Sequence, residues 1–180
     1  MAHEIETKVL GIDLITVQNK LKTLGAKEIR SSRLSVDWFR PVGTPKGEDP
    51  WFLRVRSYSD GQKEVTWKAK SDILGTARKH KEINFTVSDH NLVGDLFSEL
   101  NLEKYAHQDK DRISYKYKNW QIDIDQYPNM PPFLEIEGQD ENHINEAIKL
   151  FDLTGFETWA RGERILIEEI YGLDWYNMRF

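Results

Sequence analysis

Charged and uncharged residues alternate along several segments of the chain. In residues 3–9, HEIETKV, an extended backbone would place Glu4, Glu6 and Lys8 on one face and the uncharged side chains on the other. The same period of two predicts strands in residues 33–41, 50–58, 62–70, 80–87, 112–127 and 132–138. Residues 112–127 form two strands if a turn lies near Asn119, so the pattern predicts about eight strands, mostly in meander order.

Helical spacing of apolar residues occurs in three places. It predicts helices over residues 14–24, over residues 92–100 after an N-cap at Ser88 or Asp89, and over residues 141–151. The pattern of residues 160–180 predicts a short helix followed by an aromatic tail. The whole chain, 1–180, is thus expected to form one α+β domain, an eight-stranded antiparallel β-barrel flanked by helices.

Six of the predicted strands carry an almost purely charged face. A solvated surface explains one such strand, but six of them, beside helices that need an apolar surface to cover, favour a barrel with its charged face inward. The interior is then expected to be a hydrated tunnel instead of a packed core. The charged faces contain the carboxylates Glu4, Glu6, Asp123, Asp125, Glu135 and Glu137 and the cations Lys8, Arg54, Arg56, Lys68, Lys70 and Arg112.

Such an interior needs a ligand of matching charge, because buried unpaired ions are costly. Clustered arginine and lysine bind phosphate, and clustered carboxylates bind a hard divalent cation. A polyphosphate with its metal supplies both.

Composition narrows the possible functions. The chain has 39% hydrophobic and 31% charged residues, no cysteine and a net charge of −5. We therefore expect no disulfide and no thiol chemistry, and no nucleic-acid partner, whose footprint is basic. No apolar run of membrane-spanning length and no secretory leader is apparent, so we expect no membrane association and a cytoplasmic location.

The motifs together resemble a known family. EIETK, with Glu4, Glu6 and Lys8, resembles the Glu-x-Glu-x-Lys signature of the CYTH superfamily, the triphosphate tunnel metalloenzymes. FLRVR, VTWKAK, KDRISY and IDIDQYPNMPPFLEIEG resemble the family's later strands in the same order. The family comprises class IV adenylate cyclases, thiamine triphosphatases and inorganic tripolyphosphatases, and its fold is an eight-stranded barrel around a charged tunnel.

The resemblance implies a role for each matching residue and Mg²⁺ or Mn²⁺ as cofactor. The expected catalytic residues are Glu4, Glu6, Lys8 and Asp123. The expected triphosphate ligands are Lys8, Arg54, Arg56, Lys68 and Arg112. The expected metal ligands are Glu4, Glu6, Asp123, Glu135 and Glu137.

Some positions depart from the family pattern or leave a choice open. A middle strand that often reads Arg-x-Glu-x-Glu here has His80, Glu82 and Asn84. The basic residue that often closes the tunnel near the C-terminus is either Arg161 or Arg164, and the role of Asp125 is open. His80 as a general base is less favoured than His80 as part of the tunnel wall.

Three functions fit these residues. The favoured one is metal-dependent hydrolysis of a small triphosphate: inorganic tripolyphosphate, a nucleoside triphosphate or thiamine triphosphate. The alternative is a class IV adenylate cyclase, which makes cyclic AMP and pyrophosphate from ATP. A non-catalytic polyphosphate-binding module is disfavoured because it needs no carboxylates. A homodimer is compatible with the aromatic tail.

Overall fold

Eight antiparallel strands close into a barrel in the computed structural model, which describes residues 3–180, with side chains from Glu4 onward. The barrel order is β1-β9-β8-β7-β2-β3-β4-β6, and pairing of β6 with β1 closes it. The expected α+β barrel is thereby confirmed. Its strands are β1 (His3–Val9), β2 (Lys27–Pro41), β3 (Phe52–Tyr58), β4 (Lys63–Lys68), β6 (Ala77–Thr86), β7 (Leu102–Tyr117), β8 (Trp120–Gln126) and β9 (Phe133–Gly138). Three short strands, β5 (Asp72–Leu74), β10 (Thr158–Trp159) and β11 (Asn177–Met178), pair outside the closed ring.

The helices lie where the apolar spacing predicts them. They are α1 (Leu14–Thr23), α2 (His90–Glu99) and α3 (Glu141–Leu150), followed by α4 (Glu163–Ile165), which continues as a π-helical turn, Leu166–Ile170. Asp13, Asp89 and Asp140 cap the first three helices by accepting hydrogen bonds from backbone N–H groups in the first turn. No helix in residues 3–180 is long and apolar enough to span a membrane.

The outer face of the barrel forms the main apolar core under α1 and α3. Leu21 of α1 and Ala147 of α3 are buried in one cluster with Ile122, Ile124 and Ile136 of β8 and β9. These three isoleucines alternate with the carboxylates of the same strands, so burying them outside turns the carboxylates inward. The charge alternation of the sequence thus defines which side of each strand faces the interior.

Two strands are longer than the alternation predicts. Strand β2 begins at Lys27 and β7 begins at Leu102, and the two strands pair along almost their whole length. The register shifts between Trp38 and Phe39 and again between Glu28 and Arg30. Such irregularities change the face to which successive side chains point, so the period of two is interrupted in these parts of the chain.

Part of the barrel interior is apolar, which corrects the expected fully hydrated tunnel. Leu34, Val36 and Trp38 share the inward face of β2, because Trp38 and Val36 are paired with Arg54 and Arg56 of β3. They form one buried cluster with four C-terminal residues: Leu166 and Ile167 of the π-helical turn, and Trp175 and Met178 of the tail. The C-terminal segment therefore packs against this part of the interior, and the charged cavity occupies the rest. Lys70, expected on a charged inner face, lies exposed beyond the end of β4.

Candidate functional site: a charged cavity inside the barrel

A cavity of about 610 Å³ lies inside the barrel and is lined by equal numbers of cations and carboxylates. The lining cations are Arg54, Arg56, Lys68, Arg78, Lys110, Arg112 and Arg164. The lining carboxylates are Glu4, Glu6, Glu82, Asp123, Glu135, Glu137 and Glu163. Nine of the residues expected from the sequence are therefore brought together. The tenth, Lys8, is 1% exposed and does not line the cavity.

The two glutamates of β1 are held by cations of neighbouring strands. Glu4 accepts hydrogen bonds from Lys68 at 2.5 Å and pairs with His80 at the same distance. Glu6 accepts a hydrogen bond from the Arg78 Nε at 2.6 Å. Lys8 donates to Glu135 at 2.8 Å, so it is a buried partner of the acidic strand β9 in this structure.

Arg112 is enclosed by three carboxylates of β8 and β9. Its guanidinium lies 2.7 Å from Asp123 and 3.0 Å from Glu135, and its Nε donates to Asp125 at 2.6 Å. Asp125 also accepts from Lys110 at 2.8 Å and is fully buried. Asp125, whose role the sequence left open, thus lies behind the cavity wall as the shared partner of two cations.

Arg54 and Arg164 differ from the other lining cations. Within residues 4–180, no carboxylate oxygen lies within 4.0 Å of either guanidinium. The Nε of Arg54 and the Nε of Arg56 are buried without a hydrogen-bond partner in the described part of the chain. Buried N–H groups of arginine are normally satisfied, so these groups are donors available to an anion. Arg161, the other C-terminal candidate, pairs with Glu169 on the surface, so Arg164 is the one of these two arginines that lines the cavity.

The cavity perturbs the acidity of its carboxyl groups in both directions. Burial, together with the negative charges of Glu4 and Glu6, raises the pKa of Glu137 to about 7. Burial also raises the pKa of Asp123, against the opposing effect of Arg112. Burial would raise the pKa of Glu163 as well, but Lys110 and Lys8 outweigh it and lower this pKa to about 2.

The acidic side of the cavity fits a divalent cation. Glu4, Glu6 and His80 each offer a ligand atom, and these atoms lie within 4.8 Å of one another. One carboxylate oxygen of Asp123 is buried without a partner among the described residues. Carboxylate oxygens are the ligands that Mg²⁺ and Mn²⁺ prefer, and a divalent ion would relieve the repulsion that raises the Glu137 pKa.

Four charged residues of the cavity were not among the expected site residues: Arg78, Lys110 and Glu163, and also Glu82, which the sequence analysis named only as a departure from the family pattern. Arg78 precedes the segment predicted as a strand, and Lys110 precedes Arg112 by two positions on β7. The period of two, extended backward from Arg112, would have found Lys110. Glu163 comes from the C-terminal segment, which has no strand periodicity, and reaches the site only through the packing of that segment.

Aromatic and apolar side chains line another part of the cavity. They are Trp38, Phe52, Ile83, Ile165 and Trp175. Trp175 and Trp38 lie with their ring centres 5.1 Å apart, and the indole N–H of Trp175 is buried without a partner in the described chain. The cavity therefore combines a charged part with an apolar part.

Comparison with known proteins identifies the family to which this barrel belongs. The family model of the CYTH domain matches residues 2–155, which is most of the chain. The protein is a member of the CYTH family. Family membership confirms the resemblance expected from EIETK and the later strands, and it confirms the expectation of an enzyme.

Individual relatives and solved structures show how far the similarity extends. A Methanocaldococcus jannaschii protein with a provisional adenylate cyclase name is 29% identical over 150 residues, which cover 83% of each chain. A Vibrio parahaemolyticus structure, also provisionally named as an adenylate cyclase, has a TM-score of 0.75 at 14% identity, covering 94% of this chain and 98% of the other. A Hippeastrum structure, whose description gives a dominant triphosphatase activity, has a TM-score of 0.69 at 12% identity, covering 96% of each chain. The two structures share the fold with this chain.

Proposed function

We propose that this CYTH protein hydrolyses a small triphosphate compound in the cavity with the help of Mg²⁺ or Mn²⁺. The observation that carries the proposal is the division of the cavity into two kinds of charged group. Arg54, Arg56 and Arg164 present donors that carboxylates do not fully occupy, while Glu4 and Glu6 face them from β1.

The cations would bind the phosphate chain. Arg54 and Arg56 lie on one face of β3, two residues apart, so their guanidinium groups can reach adjacent phosphate oxygens. Lys68 and Arg112 are paired with carboxylates, and they would be shared between those carboxylates and the ligand. Lys8 would act indirectly, because its hydrogen bond holds Glu135 in place.

The carboxylates would hold the metal and orient water. Glu4 and Glu6 would hold the ion, with Asp123, Glu135 and Glu137 as the further acidic groups of the same cavity. Such an ion would neutralise phosphate charge and lower the pKa of a water molecule bound to it. The protein's own residues fix the phosphate chain in line with the attacking water, which is the main source of rate enhancement in phosphoryl transfer. Water adds to the terminal phosphorus, the bond to the bridging oxygen breaks, and phosphate and the shortened chain leave.

An adenylate cyclase is the second candidate, and two observations favour it. The Methanocaldococcus relative carries a cyclase name, and the apolar part of the cavity offers Trp38 and Phe52 as surfaces for a base. The same cations and carboxylates would then bind ATP, and the ribose 3′-hydroxyl would attack the α-phosphorus and release pyrophosphate.

One assay panel distinguishes the two candidates. Purified protein is incubated with Mg²⁺ or Mn²⁺ and with tripolyphosphate, ATP or thiamine triphosphate, and both phosphate and cyclic AMP are measured. Phosphate release from at least one substrate, without cyclic AMP, is expected. Cyclic AMP as the main product would replace the hydrolase proposal by the cyclase.

Variants of the site test whether this cavity is responsible. Glu4→Gln combined with Glu6→Gln should abolish turnover while the circular dichroism spectrum is retained. Arg54→Ala should raise KM for the triphosphate. Glu146→Gln, at an exposed position, is the matched control and should leave turnover and KM unchanged. Turnover at the normal rate in the Glu4/Glu6 double variant would place the active site elsewhere.

A further inference from the structure

Arg164 reaches the cavity from outside the barrel strands, yet several contacts define its position. It follows Glu163 at the start of α4, and its guanidinium Nη1 donates a hydrogen bond to the phenol oxygen of Tyr176 at 2.9 Å. Tyr176 is itself packed edge-on against Trp175, with ring centres 5.3 Å apart. One of the five N–H donors of Arg164 is thus assigned to the protein, and no second hydrogen bond from this side chain is found within residues 4–180.

The loop between β2 and β3 forms the second contact. Gly47 has a φ of +88°, and a β-carbon on this residue would lie 3.2 Å from Nη1 of Arg164, closer than ordinary packing allows. The bare backbone of Gly47 therefore lies beside the Nη1 end of the guanidinium, where a side chain would have to displace it. Lys46 places its ammonium 4.1 Å from the centre of the Tyr176 ring, so the loop contacts both members of the hydrogen-bonded pair.

Asp49, two residues after Gly47, provides negative charge without direct contact. Its side chain is 3% exposed, and both of its carboxylate oxygens lack a hydrogen-bond partner among the described residues. Burial would lower the pKa of Arg164, but Tyr176, Glu168 and Asp49 outweigh it and raise that pKa. The charge of Arg164 is thereby stabilised, while no carboxylate of residues 4–180 lies within 4.0 Å to compete for its donors.

We propose that Tyr176 and the 46–49 loop position Arg164 as an anion-binding residue at the cavity, with Asp49 as a charge partner held out of hydrogen-bonding contact. This inference rests on the proposed function for the identity of the anion, a triphosphate. It assigns Gly47, Asp49 and Tyr176 as positioning residues, which act on the ligand only through Arg164.

A double-mutant cycle on ligand binding tests the proposal. Tripolyphosphate is titrated into the full chain by calorimetry with a metal chelator present, so that it is not hydrolysed, for Tyr176→Phe and Asp49→Asn, each with Arg164 intact and with Arg164→Ala. Tyr176→Phe, which removes one hydrogen bond to a charged group, is expected to weaken binding by about tenfold or more when Arg164 is present. Asp49→Asn, which removes a charge that makes no hydrogen bond to Arg164, is expected to weaken binding by less. With Arg164→Ala no further weakening is expected, because the positioning residues have nothing left to position. Equal weakening in both backgrounds, or none in either, would overturn the proposal.

Two controls separate positioning from general disturbance. Tyr171→Phe removes a phenol oxygen from the same C-terminal segment and should leave binding unchanged. Gly47→Ala should weaken binding as Tyr176→Phe does, and melting temperatures show whether this more strained variant remains folded.

A second measurement keeps the test independent of the proposed function. In protein with ¹⁵N-labelled arginine, the Nη signals of Arg164 are identified by their loss in Arg164→Lys. Restricted rotation of the guanidinium should give separate Nη signals in the wild type and averaged signals in Tyr176→Phe. Failure of the wild type to bind any of tripolyphosphate, ATP and thiamine triphosphate would contradict the proposed function alone, whereas averaged Arg164 signals in the wild type would contradict the positioning inference.

Discussion

Glu137→Gln should make the metal-free protein more stable at alkaline pH. Burial and the neighbouring Glu4 and Glu6 raise the Glu137 pKa from its ordinary value of 4.5 to about 7, so the folded state disfavours the charged form. A carboxyl whose pKa is raised on folding costs stability as the pH rises from the unfolded value to the folded one. The penalty is therefore absent below about pH 4.5, grows up to about pH 7 and is complete above it.

The size of the effect follows from the same values. A pKa increase from 4.5 to about 7 corresponds to about 3 kcal/mol. Glu137 is only partly buried, and solvent screening reduces this figure to about 1–2 kcal/mol. For a chain of 180 residues that is a rise in melting temperature of about 2–8 °C.

Thermal unfolding with a metal chelator, at pH 8 and at pH 4.5, measures the effect. Glu137→Gln should unfold at a higher temperature than the wild type at pH 8 and at nearly the same temperature at pH 4.5. Glu146→Gln, an exposed substitution of the same kind, should show neither change. Saturating Mg²⁺ should stabilise the wild type more than Glu137→Gln at pH 8. A stabilisation that is equal at both pH values, or a loss of stability at pH 8, would refute the electrostatic account of this site.

Three further substitutions probe the ion pairs and the packing around the barrel. Lys110→Met should lower the free energy of unfolding, measured in urea, by about 3–5 kcal/mol, because the fully buried Asp125 then has one cation fewer. A loss below about 1 kcal/mol would show that Arg112 alone is enough to neutralise Asp125. Trp175→Ala should cost about 3–5 kcal/mol by emptying the apolar part of the interior, and an unchanged urea midpoint would mean that the tail contributes no stability. Burial would raise the Asp37 pKa, but hydrogen bonds from His90, Lys104 and His107 outweigh it and lower that pKa. This stabilisation is present above about pH 4 and is lost as the pH falls further. Asp37→Asn should therefore lower the free energy of unfolding by about 1–3 kcal/mol at pH 7 and by progressively less in acid. A loss that does not depend on pH would contradict this account.

The alternation of charged and apolar residues was sufficient to predict the barrel and most of its site. Each strand has a period of two, and the apolar side must be covered by helices, so the opposite side has to face the interior. Glu4, Glu6, Arg54 and Lys68 line the cavity for this reason.

Pairings between side chains could not be predicted in the same way. The pattern places Lys8 on the charged face, but only the register of β1 with β9 brings it against Glu135 and buries it. Arg78 lies in the part of β6 that precedes the predicted strand, and its contact with Glu6 likewise depends on register. Register depends on the turns and on which side chains meet across two strands, so the pattern of a single strand does not specify it.

The sequence by itself determined the fold class, the charged interior and the kind of ligand that such an interior favours, because these follow from periodicity and residue chemistry within each strand. Only the tertiary structure decided that the C-terminal segment fills part of the barrel, that Glu163 and Arg164 enter the cavity, and that Arg54 and Arg164 lack carboxylate partners within the described chain. The reason is physical: periodicity is a local property of each strand. Which charges neutralise one another, and which remain for a ligand, depends on distances between segments far apart in the chain.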